Sequence, residues 1–70
     1  MIKLTIFRGY GPQESLFDPK YIKIVRPSKY ERFAPAGANS MMYMSDNELF
    51  YCTETVEEIE EMLKVEATKW

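Results

Sequence analysis

Ile2, Leu4 and Ile6 alternate with Lys3, Thr5 and Phe7, the period-2 pattern of a strand with one face on a core. Gly9-Tyr10-Gly11-Pro12 follows as turn chemistry. A short second strand, Glu14 to Phe17, returns beside the first and ends at Asp18-Pro19, because proline cannot donate to a ladder. Tyr21 to Arg26 reads as a third strand, with Ile22 and Ile24 on one face, Lys23 and Val25 on the other, and Pro27 as its stop. Residues 27–39 carry two prolines, a glycine and no period. They read as an insertion loop, of a length that goes with function or mobility. Ser40–Met44 and Leu49–Thr53 form two more strands around the tight turn Ser45-Asp46-Asn47-Glu48. Last, Thr55-Val-Glu-Glu58 has the capping-box form, with Thr53 as a competing start. Val56, Ile59, Met62 and Leu63 then recur at helical spacing, which predicts a helix over 55–67. The expected fold is α+β: one domain over 1–70, a small twisted antiparallel sheet of about five strands with one C-terminal helix packed across a face.

The second hairpin complicates that picture. Met42, Met44, Phe50 and Cys52 would line one face, yet Met41, Tyr43, Leu49 and Tyr51 make the other apolar too. A sheet covered on one side shows a polar second face. Met41, Tyr43, Leu49 and Tyr51 are therefore expected to form a contact surface, adaptable where it is methionine. Trp70 reads either as a frayed end or as a docking anchor. A chain of 70 residues without disulfide or metal staple is marginal alone, so a homo-oligomer or a protein partner is expected.

Composition narrows the chemistry. There is no histidine and a single cysteine, Cys52. That excludes His-based triads and proton shuttles, internal disulfides and multi-Cys zinc sites. Cys52, within a strand, reads as a buried inert thiol rather than a nucleophile. Paired helical glutamates without a polar pocket signature are weak support for acid/base work, so no enzymatic activity, catalytic residue, metal or cofactor is expected. No run approaches the roughly 20 apolar residues of a membrane span, and the charged start does not read as a signal peptide. With one unpaired cysteine, this predicts a cytoplasmic protein.

The net charge of −2 hides an asymmetry. Residues 1–33 hold seven cationic against three acidic side chains, net +4; residues 34–70 hold two against eight, net −6. Lys20, Lys23, Arg26, Lys29 and Arg32 recur every three residues, interleaved with Tyr21, Tyr30 and Phe33. Cations neutralise phosphate, guanidinium grips it bidentately and aromatics stack on bases. Lys20, Lys23, Arg26, Lys29, Tyr30, Arg32 and Phe33 are thus candidate ligands for a nucleotide or another small phosphorylated molecule, rather than for duplex nucleic acid. The competing reading is a solvated edge strand whose lysines block edge-to-edge pairing. Glu54, Glu57, Glu58, Glu60 and Glu61 read as a solvated helix face, with a nucleic-acid mimic or a basic partner's dock as the alternative.

Three stretches carry a family resemblance: Met1-Ile-Lys-Leu-Thr5, Leu16-Phe-Asp-Pro-Lys-Tyr-Ile-Lys-Ile24 and the run from Ser40 through the second hairpin to Glu57-Glu58-Ile59. Together they resemble the FlbD/SwrD family of small flagellar and swarming-motility proteins, with further likeness to small phage proteins and to part of LytTR-type domains. The resemblance covers most of the chain outside residues 26–39. The chain departs from the family at its last turn, Asp46-Asn47-Glu48 in place of Asn-Gly, and in the insertion over 27–39. The resemblance implies a non-enzymatic motility-type factor or a phage-encoded inhibitor of a host protein.

Overall fold

The structure, a computed structural model, describes residues 1–9, 11–29 and 31–68. Five strands form one antiparallel sheet: β1 (Ile2–Arg8), β2 (Gly11–Phe17), β3 (Ile22–Pro27), β4 (Ser40–Met44) and β5 (Leu49–Cys52), in the order β2-β1-β5-β4-β3. One helix, α1 (Val56–Ala67), follows. Its cap is the expected one. Glu58 N–H donates to Thr55 Oγ1 and Thr55 N–H donates back to the Glu58 carboxylate, so two otherwise orphaned amides are satisfied reciprocally.

The sheet is strongly coiled. Phe17 and Ile22 end and begin the two edge strands, yet the intervening chain can span only about 18 Å even when extended. A flat five-stranded sheet would hold its edges roughly 19 Å apart, and here Pro19–Tyr21 is wound into a 3-10 turn. The edges must therefore approach each other. The rings of Phe17 and Phe50 accordingly meet edge-to-face with centroids 5.4 Å apart, although β1 lies between their strands. Among the described residues no ladder joins β2 to β3. The helix touches β1 and β3, and its Ile59 joins Ile2, Leu4, Ile6, Phe17, Met42 and Cys52 in one buried cluster, with Met62 and Leu63 packed against it.

Several boundaries differ from the sequence reading, each for a local reason. β2 starts at Gly11 rather than Glu14 and carries Pro12 opposite Phe7. An edge strand has a side that needs no ladder donor, so proline is tolerated. β3 starts at Ile22, because Asp18 accepts from Lys20 N–H and its carbonyl from Tyr21 N–H, winding the chain into the 3-10 turn. β3 also runs on to Pro27, which pairs with Ser40. Residues 28–39 are therefore a long hairpin loop between paired strands.

The larger correction concerns parity within β3. The register slips between Ile22, opposite Met44, and Ile24, opposite Tyr43. This β-bulge at Lys23 inserts one residue and reverses the alternation beyond it. Ile22 and Val25 pack on the core, while Ile24 is 40% exposed on the outer face.

Candidate functional site

The outer face of β3, β4 and β5 is built in two rows. Ile24 stands opposite Tyr43 and Tyr43 opposite Leu49; Arg26 stands opposite Met41 and Met41 opposite Tyr51. Ile24 and Leu49 are exposed, at 40% and 38%, with Tyr43 half-buried between them. The bulge re-aims β3 so that Lys23 joins Ile24, Arg26, Tyr43 and Asn47 around a depression of about 250 Å³. Asn47 reaches it because the β4–β5 turn puts that residue in the left-handed region, φ 70°, where asparagine is among the tolerated side chains. The turn is closed by Met44 N–H donating to the Glu48 carbonyl and Glu48 N–H donating to Asp46 Oδ1. Lys23 and Arg26 make no ion pair among the described residues. The site is thus an apolar row bordered by two uncompensated cations.

The expected contact residues divide. Tyr43 and Leu49 belong to the exposed row, and Tyr51 is half-buried in the second row. Met41 is corrected: at 4% exposure it is enclosed by its own chain and presents nothing to a partner. The insertion loop returns toward the sheet near β1 and β5. It folds back so that a methyl on Gly37 would sit 3.6 Å from Phe7 Cζ. It is tied down where it rejoins the sheet, with Asn39 N–H donating to the Cys52 carbonyl and Asn39 Nδ2 to the Thr53 carbonyl. Trp70 lies outside the described residues.

The basic series does not converge as a whole. Lys20 pairs with Asp18 at 3.8 Å and stands over the Tyr21 ring, 5.1 Å from its centroid. Among the described residues, Lys23 and Arg26 of this series share a depression. Lys29 lines another one beside Asn39, Val56 and Glu57. Arg32 and Phe33 are exposed on the loop, and Tyr30 lies outside the described residues. A spacing of three is neither strand nor helix period, so the chain's path separates these side chains. What the sequence reading missed was the bulge, which brings Lys23 and Ile24 to one depression. A lysine in an apolar alternation was its available signal.

Glu54 is also reassigned. It is not part of the solvated helix face, because both its carboxylate oxygens accept the Thr5 N–H, at 2.9 and 3.0 Å. Glu57, Glu58, Glu60 and Glu61 are exposed on α1. Among the described residues no three His, Cys, Asp or Glu side chains gather as a metal site, and no helix is long and apolar enough to cross a membrane.

Cys52 sits between Ile6 and Ser40 in neighbouring strands and is fully buried. Burial pushes its thiol up to about 11; the Ser40 hydroxyl draws it back in part and the nearby Glu54 charge adds to the rise. The native state therefore keeps the thiol neutral where the unfolded chain ionises it. Its contribution to stability is complete below the ordinary value of 9.0 and is lost as pH rises from there through about 11. We expect a thiol reagent at pH 8 to label Cys52 only as fast as the protein opens. A Cys52→Ala variant should lose part of the alkaline decline in stability. Prompt stoichiometric labelling of the folded protein would show the thiol to be accessible.

Comparison with family models, with curated proteins and with solved structures finds no match to the chain.

Proposed function

We propose that the protein is a non-catalytic binding module that docks an acidic, partly apolar segment of a partner protein on the outer face of β3, β4 and β5. One observation carries this reading: the row Ile24–Tyr43–Leu49 reaches the surface across three strands while Lys23 and Arg26 at its border have no carboxylate partner among the described residues. Apolar anchors exclude water and supply affinity, and border cations select partners and speed encounter. The FlbD/SwrD-like stretches favour a motility-type factor, for which such docking needs no reaction. Self-association is part of the proposal in one form only. A two-fold pair through this face would set Lys23 and Arg26 against their own copies, which disfavours it. A second copy fits better head-to-tail, bringing the glutamates of its α1.

The test is an amide-resolved NMR titration with a designed Glu/Leu amphipathic peptide, beside sedimentation of the protein alone at low and high salt. Shifts should centre on residues 22–26 and 43–49. Lys23→Glu with Arg26→Glu should weaken peptide binding at least about tenfold. Shifts elsewhere, or binding indifferent to that charge reversal, would remove the docking face. A single 8.3 kDa species at all salts would remove self-association while leaving the docking face in place. Because Lys23 and Arg26 flank Tyr43 in one depression, a small phosphorylated ligand is the second reading. ATP producing the same shifts where the peptide produces none would establish it instead.

A further inference from the structure

A second depression opens at the other side of the β4–β5 turn, about 430 Å³ in volume, and its chemistry is opposite. Its apolar walls are Phe17, Tyr21, Met44 and Phe50, and its acidic rim is Asp46 and Glu48. The lining holds no lysine or arginine. Two of the rings pack on each other, and the backbone that carries the third is tied to the turn. Phe17 and Phe50 meet edge-to-face at 5.4 Å, and Ser45 N–H donates to the Tyr21 carbonyl at 2.7 Å, fastening the wall that carries Tyr21 to the turn that carries the acids. The rings attract cations within this chain already. The Arg8 guanidinium lies 5.8 Å from the Phe50 centroid and the Lys20 ammonium 5.1 Å from that of Tyr21, yet neither side chain lines this depression.

We infer that this acid-rimmed aromatic depression receives an arginine or lysine side chain of a partner protein. The aliphatic stem would lie along Met44 and the rings while the head meets the π faces and the carboxylates, the division of labour such amphipathic side chains permit. The site is separate from the cationic outer face and does not depend on it.

The test uses NMR titration with a capped Gly-Gly-Arg-Gly-Gly peptide and its norleucine counterpart, which keeps the stem and removes the charge. At about 10 mM, a level that reads even millimolar dissociation constants, the arginine peptide should shift the amides of 17, 21 and 44–50. The norleucine peptide should shift them much less. Asp46→Asn retains an acceptor for the Glu48 N–H; combined with Glu48→Gln it should weaken the arginine peptide roughly three- to tenfold. Tyr21→Leu should do the same and Tyr21→Phe should not. Lys23→Glu with Arg26→Glu, which disables the outer face, should leave this binding in place. Equal shifts from both peptides, no shift at these residues, or indifference to Tyr21→Leu and to the double amide variant would each overturn the inference.

Discussion

Replacing Ile59 by alanine is expected to leave the protein largely unfolded at room temperature. Ile59 is the one fully buried side chain of α1 among the described residues. It belongs to one buried cluster with residues of β1, β2, β4 and β5, so the space it leaves is bounded by several elements at once. Truncating such a side chain costs about 2–5 kcal/mol. A single core in a chain of this size rarely supplies more than roughly 3–5 kcal/mol in total. The two ranges overlap, and that overlap is the reason to expect loss of the fold rather than a modest shift in midpoint. Urea denaturation followed by circular dichroism measures it. Val65→Ala, on an exposed position of the same helix, serves as the control and should change stability by less than about 0.5 kcal/mol. An Ile59→Ala protein with a full native baseline and a loss below about 1 kcal/mol would mean that the sheet stands without the helix.

Ile59 and the capping box were legible in the sequence because a helix announces itself locally, through spacing and through a cap three residues away. An antiparallel sheet of about five strands with one helix was legible for the same kind of reason, since alternation and turn residues are short-range signals; the strand order was not. What was not legible depends on partners far along the chain. The bulge at Lys23 exists because β3 must pair with β4 beyond a 3-10 turn that shifts its entry, and within Tyr21–Arg26 a lysine in an apolar alternation hints at that slip without fixing it. The burial of Met41 is not recorded in an alternation that makes both faces of its strand apolar. The candidate outer face was half visible: Tyr43 and Leu49 followed from the two-faced hairpin, whereas Ile24 was placed on the same face as Ile22, one parity error away. The acid-rimmed depression was not foreseen at all, because coiling brings Phe17 to Phe50 across an intervening strand.

The same dependence on distant residues governs the join between the two halves of the sheet, and it makes Glu54 the second large effect. The β2–β1 hairpin meets β5–β4–β3 along a narrow seam, whose ladder pairs Ile6 with Cys52 and in which Thr53 N–H donates to the Thr5 carbonyl. A regular ladder would return the Thr5 N–H to the Thr53 carbonyl. That carbonyl accepts from Asn39 Nδ2 at 2.7 Å, and the Glu54 carboxylate takes the Thr5 N–H in its place. The loop and β1 are thus both satisfied at the point where β5 ends. Glu54→Ala should leave the half-buried Thr5 amide without its acceptor, at a cost of about 1–3 kcal/mol. Glu54→Gln keeps a carbonyl oxygen for the bond and loses only its charge assistance, so its cost should be about half as large. Hydrogen exchange identifies the cause. In the alanine variant the Thr5 amide should exchange faster than its neighbours within β1, while amides of the β3–β4 ladder keep their protection relative to global unfolding. Unchanged protection at Thr5 in Glu54→Ala, or equal losses in the alanine and glutamine variants, would place the strength of the seam in the helix packing alone.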